Sequence, residues 1–325
     1  MILVTGSSGF IGSRLALDLC KLGEEVIGVD SCTSYYSTNL KKQRTDYLRS
    51  NTNARLEIVD LSNLSDLKKL FKKYSITSVI HLAAQPGVRL NTSKFDIYNR
   101  DNLLAFANIL QVSLESKVEN FLYASSSSVY GNNSKIPFVE KELNLQPTSY
   151  YGATKLSNEI LTKSVSKYST TKIRGLRFFT VYGPSGRPDM AYFKLINNAL
   201  YKTKFDLYGD GSKIRDFTYV ADISTSIIAL KQQIKNEPEG FNDLVNISGG
   251  EPKSINHLIT EIEKLTSSKI EINKADNDSL DMQQTIADRT YLESLIGILP
   301  STSLIEGLQE TINWHRLNET LMREF

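Results

Sequence analysis

The chain has 325 residues and is 40% hydrophobic, enough to bury a sizeable core in one large domain or two lobes. Its 38 basic and 36 acidic residues leave a formal charge of +2, so no overall field draws it to nucleic acid or to a membrane surface. Two cysteines cannot build a disulfide framework, three histidines without a cysteine cluster argue against a metal site, and no apolar run approaches the length of a membrane span. The first residues, MILVTGSSGFIG, run straight into a strand without a signal pattern, so a reducing cytoplasm is the expected setting.

The first predicted strand, ILVT at 2–5, leads into Gly6-Ser7-Ser8-Gly9-Phe10-Ile11-Gly12 and a helix over 10–22. Glycines at such a turn permit a tight bend and close backbone approach to phosphate, and the helix start offers free N–H donors to an anion. The spacing alone is weak evidence; its place between a first strand and a first helix strengthens it. A second strand, 25–30, ends on Asp30, whose carboxylate can accept from ribose hydroxyls and would repel a 2′-phosphate, favouring NAD over NADP. After a helix over 38–50, the strand 54–59 runs into Asp60 and Leu61, which can address an adenine. A helix over 63–74 precedes the strand 78–83, followed by Ala84 and Gln85. The small side chains of Leu82-Ala83-Ala84-Gln85 let backbone approach a cofactor.

A helix over 95–116 then leads to the strand 120–125, which runs out into Ser125-Ser126-Ser127-Ser128-Val129-Tyr130-Gly131. Taken alone, that is a serine-rich turn able to satisfy its own backbone. The next predicted helix, 149–168, changes the reading, because it carries Tyr151 and Lys155. Residues at i and i+4 share a helix face, and an ammonium beside a phenol favours phenolate, so the pair is expected to give a base usable near neutral pH. A serine hydroxyl there can hold a substrate hydroxyl against the phenol. A strand at 173–178 closes a strand–helix alternation that predicts a doubly wound parallel sheet of Rossmann type. Beyond residue 180, turn-rich stretches such as PSGRPDM, YGDGSKIRDF and GGEPKS predict a smaller α/β lobe. The expected division is a dinucleotide domain over 1–180, with returning segments from roughly 214–250, and a substrate lobe formed mainly by 181–325.

These motifs, with HLAAQ, YGATK, RFFTVYGP and RDFTYVADI in the same order, resemble the extended short-chain dehydrogenase/reductase family and its NAD-dependent nucleotide-sugar epimerases. Within that family YYSTNLKKQR (35–44), QPGVR (85–89) and GPSGRPDM (183–190) look most like UDP-glucuronate 4-epimerases. The resemblance implies Tyr151 as catalytic base, Lys155 as its modulator and ribose contact, and Ser126 as the catalytic hydroxyl, with Ser127 and Ser128 nearby. It also implies Phe178 and Val181 beside the cofactor, Thr180 in the sugar pocket, and Arg89 and Met190 against substrate. Arg187 would face the sugar carboxylate and Arg215 the UDP diphosphate.

The implied reaction oxidises C4 to a ketone, lets the sugar turn, and reduces it from the other face, with UDP as the constant anchor. A 4-keto uronate carries its carboxylate beta to a ketone and is prone to lose CO₂, which a bidentate guanidinium such as Arg187 would oppose; a surface arginine in a Gly/Pro turn is the plain alternative. Relatives that dehydrate tend to carry an Asp-Glu pair after the catalytic hydroxyl, and relatives that decarboxylate a glutamate at the second place; here stand Ser127 and Ser128. A UDP-glucose or UDP-N-acetylglucosamine 4-epimerase, a decarboxylase and a non-catalytic nucleotide-binding module remain the rivals. The resemblance further suggests a role in polysaccharide biosynthesis. It also points to a homodimer through a four-helix bundle, using the apolar helix 101–114 and outlying positions Leu161 and Val165. The stretch at 277–288 departs from the family pattern, since it lacks the arginine some relatives use for the diphosphate.

Overall fold

The computed structural model describes residues 1–87, 94–132, 134–275 and 282–325. Its first half alternates strand and helix: β1 (Ile2–Thr5), α1 (Phe10–Lys21), β2 (Val26–Asp30), α2 (Thr38–Asn51), β3 (Arg55–Ile58), α3 (Leu64–Lys73) and β4 (Ser78–His81). It continues through α4 (Phe95–Tyr98), a π-helical stretch (Asn99–Leu104), α5 (Ala105–Glu115), β5 (Asn120–Ser126), α6 (Tyr150–Val165) and β6 (Lys172–Phe178). The second half holds β7 (Thr180–Tyr182), α7 (Ala191–Tyr201), β8 (Phe205–Tyr208), β9 (Ile214–Tyr219), α8 (Val220–Gln233) and β10 (Asn242–Ile247). It ends with β11 (Glu251–Ser254), α9 (Ile255–Thr266), β12 (Ile272–Ala275), β13 (Gln284–Thr285), α10 (Thr290–Ile296), α11 (Leu304–Leu317) and α12 (Glu319–Met322).

Seven strands form one sheet in the order β10-β6-β5-β4-β1-β2-β3, every pairing parallel. Parallel strands must be covered on both faces, and alternate residues of β1 show how. Ile2 and Val4 join the cluster that includes Leu15 and Leu19 of α1 and Ile223 and Ile227 of α8, while Leu3 joins Leu67 of α3 and Phe106 and Ile109 of α5 on the other side. Chain order reverses between β1 and β4, and at such a switch the carboxyl ends of the strands leave a crevice.

Local chemistry starts the helices where they are needed. Ser37 Oγ accepts from Leu40 N, Asn63 caps α3, and Ser149 Oγ accepts from Gly152 N at 3.1 Å to begin α6. Ser303 and Glu306 form a reciprocal capping box on α11.

The second half builds a separate core from Phe193, Ile196, Leu258, Ile262, Leu308 and Ile312. The returning part of the chain is shorter than the 214–250 expected. It consists of α8 and β10, whereas β9 lies in the smaller sheet, paired with β7, β11 and β13. The reason is registry: β7 follows β6 almost directly and offers its edge to β9, Thr180 opposite Phe217.

Candidate active site

The glycine turn sits at the crevice. Gly6 has φ +71°, and a Cβ there would stand 2.9 Å from Ala83 N. A Cβ on Gly12 would lie 2.1 Å from Gly6 O, which no packing tolerates. These two positions keep loop, helix start and fourth strand in one close-packed cradle whose floor is bare backbone. Asp30 ends β2 beside it; its Oδ2 accepts from Ser8 N at 3.1 Å and its Oδ1 from Cys32 N at 2.7 Å. A carboxylate accepts about four bonds, so two backbone donors fix it and leave capacity for ribose hydroxyls. Cys32 adopts φ +51° to make its bond, which gives that residue a backbone role. The cradle and its carboxylate therefore fit a dinucleotide with free ribose hydroxyls.

A cavity of about 650 Å³ runs from this cradle to the second half of the molecule. Gly6, Gly9, Phe10, Ile11 and Gly12 line it with Asp30, Asp60, Leu61 and the stretch Leu82, Ala83, Ala84, Gln85. Ser126, Ser127, Ser128, Tyr151, Lys155, Phe178, Thr180, Val181, Arg187, Met190 and Arg215 line it as well. Every sequence-predicted site residue thus meets in one cavity except Arg89, which lies outside the described residues.

The four serines divide by strand alternation. Ser125 points into the protein and donates to Glu159 Oε1 at 2.5 Å, whereas Ser126 faces the cavity, bonded to Ser128 Oγ at 3.1 Å and to the Tyr151 phenol. Ser127 and Ser128 follow in a 3₁₀ turn.

Tyr151 and Lys155 share a face as expected, with the ammonium 5.7 Å from the ring centroid. Their electrostatics correct the expectation of a phenol acidified by its lysine. Burial raises the Tyr151 pKa above 10, and the influences that oppose it come from Arg187 and the Ser126 bond. Lys155 is itself buried, at 2% exposure, and burial pushes its pKa down to about 8, with Glu159 pulling it back up. Its Nζ donates to Ala124 O at 2.9 Å. The cation that acts on the phenol in this arrangement is therefore Arg187. Arg177 holds Glu159 in place from beneath, 2.7 Å away in a buried ion pair.

Arg187 is not free in its turn. Its Nε and Nη2 grip both oxygens of Asp189 at 3.0 and 2.5 Å. Side-on pairing uses one edge of the guanidinium; the Nη1–Nη2 edge retains donors suited to a second carboxylate. Arg215, at the far end of the cavity, donates to the carbonyls of Ile214 and Met282, each at 2.7 Å. In Arg289, the arginine that follows the 277–288 stretch, Nη1 donates to the Gly249 and Pro300 carbonyls.

Sequence reasoning missed several residues. Tyr35, Tyr36 and Lys41 reach the cavity from the segment after β2, and Tyr208 and Lys213 from the YGDGSK turn, which reads in sequence only as an insertion. Asn102 was also missed. It sits in the π-helical stretch, accepts from Gln85 N at 2.7 Å, and donates to Gln85 O and Thr154 Oγ1, tying the cofactor-side loop to α6. A π-turn inside an otherwise α-helical run has no periodicity signal strong enough to announce it.

Against known proteins, the model of the NAD dependent epimerase/dehydratase family matches residues 2–247. A UDP-glucuronate 4-epimerase of Thermodesulfobacterium geofontis is 36% identical over 322 residues, 99% of this chain and 98% of that one. A UDP-glucuronic acid 4-epimerase from Bacillus cereus, solved with UDP-glucuronic acid and NAD, superposes with a TM-score of 0.90 at 34% identity, covering 98% of this chain and 99% of that chain. MoeE5, solved with NAD and either UDP-glucuronic acid or UDP-glucose, gives 0.84 at 33% identity, covering 98% and 99%.

Proposed function

Because this chain belongs to the NAD dependent epimerase/dehydratase family, we propose that it is an NAD-dependent enzyme that inverts C4 of UDP-glucuronate to give UDP-galacturonate. The observation that carries the substrate is Arg187: a guanidinium on the cavity wall, close enough to the Tyr151 phenol to influence its ionisation, with one edge already anchored.

Bound NAD supplies the acceptor, and later the donor, of the C4 hydride. The glycine turn and Asp30 would hold it, and Lys155 would reach its nicotinamide ribose. Ser126 holds the C4 hydroxyl against Tyr151, whose phenolate takes the hydroxyl proton and later returns it to the same oxygen, as hydride comes back to the opposite face of C4. Ser127, Ser128, Thr180 and Met190 shape the sugar pocket, and Arg89 and Arg215 serve the rest of the substrate. Arg187 keeps the carboxylate charged and hydrogen-bonded, which opposes the electron flow that would expel CO₂. Grip on UDP survives while the sugar turns, so remote binding energy retains the ketone. In this reading residues 1–180, with α8 and β10, form the cofactor half, and most of 181–325 receives the UDP-sugar. The product is an activated uronate, the class of donor consumed in polysaccharide biosynthesis, and a reducing cytoplasm suits its two free cysteines.

A neutral UDP-hexose is the second reading, favoured by one observation: Asp189 already balances the charge of Arg187. Incubation with UDP-glucuronate and with UDP-glucose, reading C4 stereochemistry by NMR and trapping CO₂, separates them. Inversion of UDP-glucuronate without CO₂ release is expected. Faster inversion of UDP-glucose would replace the substrate, and NAD-loaded protein that inverts neither would leave only a binding module.

We also propose a homodimer through the helices around 101–114 and 149–168. Val165 and most apolar positions of α5 are spent on the protein's own core. The exposed remainder is Leu104, Ile160 and Leu161, on adjacent helices. Sedimentation as a monomer at micromolar concentration would remove this proposal.

A further inference from the structure

The segment YYSTNLKKQR, 35–44, has no part in the reaction as described, yet its two ends close around Arg187. Arg44 is only 4% exposed, and no described carboxylate lies within ion-pairing distance of it. Its Nε and Nη2 donate to Ser185 O at 3.1 and 2.6 Å, and Nη2 also donates to Gly186 O at 2.8 Å. Nη1 donates to Ser8 O of the glycine turn at 3.1 Å and to the Tyr36 hydroxyl at 2.7 Å. Ser185 holds φ +58°, a conformation that a serine keeps only when its surroundings enforce it. At the other end of the segment, the Tyr35 hydroxyl donates to Asp189 Oδ2 at 3.3 Å, and Asp189 grips Arg187. Between the two handles lie only Arg187 and Pro188.

A buried cation satisfied by carbonyls and hydroxyls alone is poor material for stability, since burying a charge without a counter-charge is costly. What its fork does accomplish is geometric. It fixes the 185–186 turn relative to the cofactor loop, while Tyr35 fixes Asp189. We propose that the Tyr35–Arg44 segment is a specificity brace: it positions Arg187 to read the sugar carboxylate, and so sets the preference for a uronate over a neutral hexose. Tyr35 and Arg44 are positioning residues in this scheme, acting through Arg187. The inference rests on the assignment of Arg187 to the substrate carboxylate.

The test compares Arg44→Met, Arg44→Lys and Tyr35→Phe with the parent protein and with Arg187→Met. Calorimetry would give affinities for UDP, UDP-glucose and UDP-glucuronate, with the NAD content of each preparation measured alongside. Loss of a charged, hydrogen-bonded positioning contact corresponds to about tenfold in affinity. Arg44→Met is therefore expected to lose about tenfold of the preference for UDP-glucuronate, with Arg44→Lys and Tyr35→Phe losing less, while UDP affinity and NAD content hold. Equal weakening toward all three ligands would mark a plain fold staple and overturn the proposal. So would all three variants failing to fold. If Arg187→Met abolishes the preference and the brace variants keep it, this inference falls and the carboxylate assignment stands. If the parent shows no preference, both fall.

Discussion

The first 180 residues and the remainder obey different rules of assembly. In the first part, β1 to β5 are each followed by helix that packs back on the large sheet, and covering both faces forces near-continuous apolar strands at its centre. In the second part, β9 takes partners from β7, β11 and β13, brought together across about a hundred residues of chain, and β8 pairs with β12. Local pattern encodes the first kind of architecture. Pairing between distant, short strands has no such local signature, and the active site needs both. The cradle for the cofactor comes from the first part, and Arg187, Met190 and Arg215 come from the second.

The largest effect that would sharpen this contrast is chemical and belongs to the first part. Tyr151→Phe removes the proton acceptor and leaves the ring, so kcat is expected to fall by roughly 10²–10⁴-fold, with NAD retained. Steady-state assay of C4 inversion checks it; near-parental kcat would take the phenol out of the reaction. The second part answers to a packing change instead. Leu308 is fully buried in the separate core of α7, α9 and α11. Leu308→Ala is expected to cost about 2–5 kcal/mol, read by denaturant unfolding. If the second part unfolds ahead of the first, two transitions should appear; a single shifted transition would show the halves to be one cooperative unit.

Gly12→Ala returns to the cradle. Its Cβ would meet Gly6 O at 2.1 Å, so α1 or the loop must shift. Overpacking of this kind costs about 1–3 kcal/mol, and NAD content of the purified protein should fall further than stability does. Unchanged NAD content would mean that the close approach serves helix packing alone.

What the sequence made legible follows the same divide. Gly6, Gly9, Gly12, Asp30, Ser126, Tyr151 and Lys155 sit at strand ends or helix starts, where position follows from the alternation of elements. Their meeting in one cavity could be read before any coordinates. Asn102, Tyr35 and Arg44 could not. Asn102 acts because a π-turn rotates it inward, and Arg44 because a turn 141 residues away folds over it. Burial was the other blind spot. A helical i, i+4 spacing correctly brings Tyr151 and Lys155 together, but only the fold shows both groups desolvated, which reverses the expected direction of the phenol's pKa.

That reversal leads to the smallest expected effect, a shift rather than a loss. An added positive charge near a phenol stabilises phenolate and lowers its pKa; removal of that charge must raise it. Arg187 lowers the Tyr151 pKa against the upward push of burial. Arg187→Met should therefore move the Tyr151 titration to higher pH, and the alkaline rise of activity should move with it. Tyrosinate absorbance of each protein, taken as a difference from its Tyr151→Phe counterpart, isolates this phenol from the other tyrosines. A shift to lower pH, or none, would mean that Arg187 does not act on the phenol. In that case the two parts of the molecule would share a cavity without sharing the electrostatics of the base.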